Sequence, residues 1–144
     1  MACSVLAAPA DIAAGAEPEA RLVVIKSDYS GRCVFSPARN SGGLLHECNG
    51  GGSVETWEMT GPDTAATLRN ALTGQCLTDY GPGAQATRTE DCNGGTGQEW
   101  NMPSTGQSGT IKNVYTGMCA EDDGFVEVNV CHGGAAEQWS VSKR

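Results

Sequence analysis

The sequence predicts an all-β fold: a closed threefold arrangement of about twelve short strands, roughly four from each repeated unit. Three observations predict it. Six cysteines fall into three short pairs, Cys33/Cys48, Cys76/Cys92 and Cys119/Cys131, whose members are 15, 16 and 12 residues apart. A Ser/Thr-Gly-x-Cys motif recurs at a spacing of 43 residues. The apolar runs are short and bounded by Gly, Pro, Asn and Ser clusters that read as turns. Outside the Ala-rich start, no stretch of about ten residues carries a convincing helical stripe.

Composition bounds the answer. The chain has 144 residues, close to one domain. With 18% charged residues and 20 Gly, it has too little charge for a disordered tail and too much Gly for a helical bundle. No apolar run approaches the roughly 20 residues that span a bilayer. A net charge of −8 argues against nucleic acid or an anionic membrane as partner.

Residues 1–20 precede the repeat. Met1 to Ala10 are small and apolar, and Glu17, Pro18 and Glu19 follow. A signal peptide brings a basic leader and a longer apolar core, so this segment is expected to be a flexible extension. Cys3 stands apart from the pairs; a free thiol, a bond to another chain and lipid attachment are all open for it.

The first unit, about residues 21–62, opens with Leu22 to Ile25 and reaches Ser30-Gly31-Arg32-Cys33. After Cys48 comes the turn Asn49-Gly50-Gly51-Gly52, then Glu55-Thr56-Trp57 with Met59 beyond. The second unit, about 63–105, repeats the plan: Leu68-Arg69-Asn70, Thr73-Gly74-Gln75-Cys76, Cys92-Asn93-Gly94-Gly95, Gln98-Glu99-Trp100 and Met102. The third, about 106–144, reads Ile111-Lys112-Asn113, Thr116-Gly117-Met118-Cys119, Cys131-His132-Gly133-Gly134, Glu137-Gln138-Trp139 and Val141. A unit of this size must pack on its neighbours to bury an apolar face. A propeller uses blades of similar length but typically at least four of them. Three units suit the closed arrangement, with Trp57, Trp100 and Trp139 in a shared centre.

Six cysteines allow fifteen connectivities, and the repeat removes most of that ambiguity, because equivalent cysteines pair alike in each unit. Each bridge closing such a loop stabilises by about 3 kcal/mol on the chain-entropy model. Bridges of this kind persist in oxidising compartments, so the chain is expected to be secreted or extracellular. Reduced pairs or a zinc site would be the alternative, but no C-x-x-C spacing is present.

Three repeats that end in Gln/Glu-x-Trp, each with a cysteine pair and a Gly-rich turn before the Trp, resemble the ricin B-type lectin family. The resemblance covers residues 21–144 and implies a β-trefoil. Gln98 keeps the family's Gln, whereas Glu55 and Glu137 replace it. The resemblance also implies site positions: an acid two residues after the first Cys, an aromatic two before the second, and an Asn three before the Trp. These positions hold Phe35, His46 and Val54 in unit one, and Thr78, Glu90 and Gly97 in unit two. In unit three they hold Glu121, Asn129 and Ala136.

Sugar recognition needs a carboxylate that accepts from neighbouring hydroxyls, an aromatic face and an amide. Unit one lacks the carboxylate and is expected to be silent. Asp79 with Tyr80 in unit two, and Glu121, Asp122, Phe125 and Asn129 in unit three, are the candidate glycan contacts. Asp79 and Asp122 each precede a Gly by two residues, which reads first as a turn role for them. The acidic run Glu121-Asp122-Asp123-Gly124 lacks the spaced oxygen ligands of a calcium loop, and no cofactor is implied.

No catalytic set is visible. His46 and His132 lie near pairing cysteines on turn-like segments, and a Cys–His nucleophile needs a free thiol. The Gly clusters lack the Lys and helix of a phosphate loop. The expected function is a secreted, non-catalytic carbohydrate-binding module with shallow sites in units two, three or both. The alternative is a protein-interaction module on the same scaffold, a subunit of a toxin-like assembly or an inhibitor. The partner is then a glycan or a secreted protein.

Overall fold

The computed structural model describes residues 20–81 and 86–144. The expected N-terminal extension and Cys3 lie outside the described residues. Among the described residues, thirteen strands follow in chain order. They are β1 (Arg21–Ser27), β2 (Arg32–Phe35), β3 (Leu44–Glu47), β4 (Trp57–Thr60), β5 (Ala66–Asn70), β6 (Cys76–Thr78), β7 (Arg88–Glu90), β8 (Glu99–Asn101), β9 (Ser108–Gly109), β10 (Lys112–Asn113), β11 (Cys119–Asp122), β12 (Val126–Asn129) and β13 (Trp139–Lys143). All pairings between these strands are antiparallel.

The pairings close on themselves. β1 pairs with β4 and β13, β4 with β5, and β5 with β8. β8 continues to β10, and β9 returns to β13. The ring is a barrel of six runs, with β9 and β10 as one run interrupted at Thr110 and Ile111. That interruption accounts for one strand more than the twelve expected. Three hairpins, β2–β3, β6–β7 and β11–β12, cap it. This is a β-trefoil.

Each unit enters its hairpin through the same turn. Gly31, Gly74 and Gly117 have φ of 76°, 73° and 73°, a left-handed backbone that a side chain would strain. Their N–H groups donate to the carbonyls of Ser27, Asn70 and Asn113 at 2.8 Å. The side chains of those three residues accept from the two N–H groups at the turn's crest. Ser27, Asn70 and Asn113, six residues before the first cysteine of each unit, are therefore the braces of their turns.

The core lies on the threefold axis. Trp57, Trp100 and Trp139 are fully buried, and each indole N–H donates at 3.0 Å to the carbonyl after its unit's first cysteine: Val34, Leu77 and Ala120. Each ring removes on the order of 200 Å² from water while its polar atom stays satisfied. Ile25, Leu68 and Ile111 complete the inner shell. Disulfides join Cys33–Cys48, Cys76–Cys92 and Cys119–Cys131, one per unit, with Cα atoms 5.0 Å apart in each.

Candidate functional site

The hairpins carry the candidate site on the face opposite Val34, Leu77 and Ala120. Side chains alternate along a strand, so three positions share that face in each unit. They are the second residue after the first cysteine, its cross-strand partner, and the second residue before the second cysteine. The register puts Phe35 opposite Leu44, Thr78 opposite Arg88, and Glu121 opposite Glu127. The three faces have different chemistry.

In unit one the Phe35 and His46 rings stack, with centroids 3.9 Å apart and planes 9° apart. His46 Nε2 lies 3.0 Å from the buried Glu55 carboxylate. The position for a carboxylate and the position for a platform are thus spent on each other.

In unit two Thr78 is buried and accepts from Gln98 Nε2 at 3.1 Å. Asp79 is 2% exposed. Its Oδ1 accepts from Gly81 N at 3.0 Å and its Oδ2 from Thr116 Oγ1 at 2.7 Å, so it ties unit two to the turn of unit three. The Asp79 carbonyl would lie 2.9 Å from any Cβ at Gly97. A side chain at the family's Asn position would therefore collide with that carbonyl in unit two. Tyr80 is exposed and carries the Arg88 guanidinium 5.1 Å from its ring centroid.

Around Tyr80 opens a cleft of about 530 Å³, lined among others by Arg39, Asn40, Gln75, Arg88 and Asp91. Asn40 has φ of 60°, a strained value that Gln75 holds. The Asn40 N–H donates to Gln75 Oε1 at 2.6 Å, and Gln75 Nε2 donates to Asn40 Oδ1 and Asp91 Oδ1 at 3.1 Å. Arg39 Nη2 donates to the same Asp91 oxygen at 2.6 Å. The Gln75 amide foremost, and Arg39 beside it, hold the Asp91 carboxyl below its ordinary range.

In unit three Asn129 Nδ2 donates to Glu121 Oε1 at 2.9 Å and to Glu127 Oε2 at 2.7 Å. Glu127 is buried, and that burial, joined by Asp123 and Glu121, pushes its carboxyl above the usual range against the Asn129 bond. Asp122 is buried on the other face, and its Oδ1 accepts from Gly124 N at 3.0 Å. Burial opposes its ionisation. The Ser30 and Ser27 hydroxyls, the Gly124 N–H and Arg32 outweigh burial and hold its carboxyl low. Neither hydroxyl closes a hydrogen bond of ordinary geometry on its Oδ2. Phe125 is half-buried beyond the hairpin tip and bridges to Leu44 of unit one.

Glu121, His132 and Glu137 come close enough to suggest a metal centre. His132 Nε2 lies 3.3 Å from Glu137 Oε2 and 3.5 Å from Glu121 Oε2. His132 Nδ1, however, accepts from Gly134 N at 3.2 Å. A neutral ring so held carries its proton on Nε2, facing the carboxylates, whereas a metal ligand would need a lone pair there. Glu137 is occupied as well, accepting from the His132 and Gly133 N–H groups. The cluster is a hydrogen-bonded brace.

Arg39, Asn40, Gln75, Arg88 and Glu127 are site neighbours that the sequence motifs do not single out. For Arg88 and Glu127 a signal exists: both stand four residues before the second cysteine, where unit one has Leu44.

Comparison with known proteins gives the same architecture. A designed threefold-symmetric protein, ThreeFoil, shares 16% identity with the chain at a TM-score of 0.72, covering 83% of this chain and 96% of that one. A mosquitocidal holotoxin shares 16% identity at a TM-score of 0.73; the match covers 87% of this chain and 17% of the toxin chain, so this chain spans a small part of that protein. A cytolethal distending toxin structure from Actinobacillus actinomycetemcomitans shares 15% identity at a TM-score of 0.71, covering 85% of this chain and 91% of that one. No curated protein is a sequence match. Residues 64–144, over half the chain, match the model of the ricin-type beta-trefoil lectin domain. The chain belongs to that family, as a lectin-type module.

Proposed function

We propose that this module binds glycans through the outer faces of its second and third hairpins. The observation that carries the reading is the Glu121–Asn129 pair, 2.9 Å apart and half-buried, at the two positions where the family places its acid and its platform. A carboxylate and an amide so placed accept from and donate to adjacent sugar hydroxyls. Phe125 supplies the nearby apolar surface, and Tyr80 supplies one in unit two. Asp79 and Asp122 support the loops that carry these rings. Three disulfides suit an oxidising, extracellular setting.

A glycan array followed by titration of the best neutral ligand tests this. Glu121→Ala is expected to weaken binding at least tenfold with the melting temperature retained. Unchanged affinity, or an array that is silent throughout, overturns it. A silent array would favour the second reading, protein binding, which draws on one specific feature. Tyr29, Leu72 and Tyr115, at the same turn position of each unit, are 65%, 50% and 59% exposed.

A further inference from the structure

The Tyr80 cleft holds a cation that the fold leaves unused. Arg39 is neutralised by Asp91, Arg69 pairs with Glu58 at 2.9 Å, and Arg21 approaches Asp63 at 3.5 Å. Arg88 has no ion pair and no side-chain hydrogen bond among the described residues. The chain has 17 acids against nine Lys and Arg, so a partner would be easy to supply. Instead the guanidinium of the exposed Arg88 rests against Tyr80, in the lining of the cleft. The same repeat position is apolar Leu44 in unit one and acidic Glu127 in unit three. At this repeat position, among the described residues, unit two alone therefore presents a positive charge, and it lies beside an aromatic ring.

We propose that this cleft recognises a saccharide bearing one carboxylate, a uronic or sialic type of residue, with Arg88 as the carboxylate's partner. This rests on the glycan-binding reading above and adds the ligand's charge class. A guanidinium matches a planar carboxylate through two parallel N–H bonds. Packing against Tyr80 limits the orientations of the fork, so less freedom is lost on binding. The Asn40–Gln75–Asp91 lattice fixes the opposite wall, and Asn40 offers an amide edge to ring hydroxyls. Asp91 and Glu90, which also line the cleft, disfavour a second negative charge. The site thus selects a singly charged sugar over a polysulfated chain.

The test titrates the full chain with methyl glucuronide against methyl glucoside, and sialyllactose against lactose. At least one acidic member is expected to bind ten times or more tightly than its neutral counterpart. Arg88→Gln should abolish that ratio, and Arg88→Lys should restore only part of it. Equal affinities within both pairs overturn the proposal, as does an acid preference untouched by Arg88→Gln. Stronger Arg88-dependent binding of heparin than of either acidic sugar also overturns it, because charge density rather than one carboxylate would then be read. Neutral binding that fails in Glu121→Ala, without any acid preference, sinks this inference alone. Silence toward every saccharide sinks the glycan reading with it.

Discussion

Gln98 and its counterparts Glu55 and Glu137 occupy one repeat position yet bond in different senses. Gln98 accepts from Asn93 N and donates to Thr78 Oγ1 and the Asp91 carbonyl. Glu55 only accepts, from the Asn49 and Gly51 N–H groups, with His46 facing it at 3.0 Å. Glu137 likewise accepts from backbone and has His132 Nε2 at 3.3 Å. Each carboxylate thus has a histidine where the amide has a carbonyl and a hydroxyl to feed. Glu127 makes the stability of the fold depend on pH. Burial and the acidic neighbours raise its folded carboxyl above the unfolded 4.5, so its ionisation penalises the folded state. That penalty is absent below the unfolded value and complete above the folded one. Glu127→Gln keeps an acceptor for Asn129 and removes the charge. Urea midpoints should therefore show the variant more stable than wild type at pH 8, and the gain should vanish by about pH 4. A gain of the same size at both pH values would refute it.

The hairpins meet on the threefold axis through three equivalent residues, Gly43, Thr87 and Val126. Val126 N donates to the Gly43 carbonyl at 2.8 Å, Thr87 N to the Val126 carbonyl at 3.2 Å, and Gly43 N to Thr87 Oγ1 at 3.2 Å. The ring of bonds draws the backbones together and leaves Gly43 no room. A Cβ there would press on Thr87 Oγ1 and lie 3.1 Å from Val126 Cβ and 3.2 Å from Leu77 Cδ1. Gly43→Ala is expected to cost about 2 kcal/mol through overpacking. Thr87→Ala removes the hydroxyl that the new methyl meets. The double variant should therefore be more stable than the sum of the singles predicts, by about 1 kcal/mol. Strict additivity in denaturant melts would show that this junction has slack.

Across the whole molecule, what the sequence discloses is what the threefold plan requires three times. The left-handed turns at Gly31, Gly74 and Gly117, the tryptophan core and the cysteine pairs each recur at one spacing, so a local steric or covalent need becomes a pattern. The candidate site is less legible, because its chemistry arises between units or across a register. Asp79 looks available until Thr116, 37 residues on, takes its second oxygen. Phe35 and His46 look like two missing site residues until they stack on each other. Arg88 belongs to no motif, and only pairing with Thr78 brings it to the Tyr80 cleft. The bridges follow the opposite logic, being local, and this sets a final prediction. They close loops of 15, 16 and 12 residues. Loop-closure entropy varies only with the logarithm of such lengths, so each is worth about 3 kcal/mol. Because each bridge lies within its own unit, replacing any one pair by alanines should lower stability by similar amounts, within about 1 kcal/mol of each other. Chemical denaturation of the three double variants checks this. One loss several times the others would mean that a bridge holds units together as well as closing its own loop.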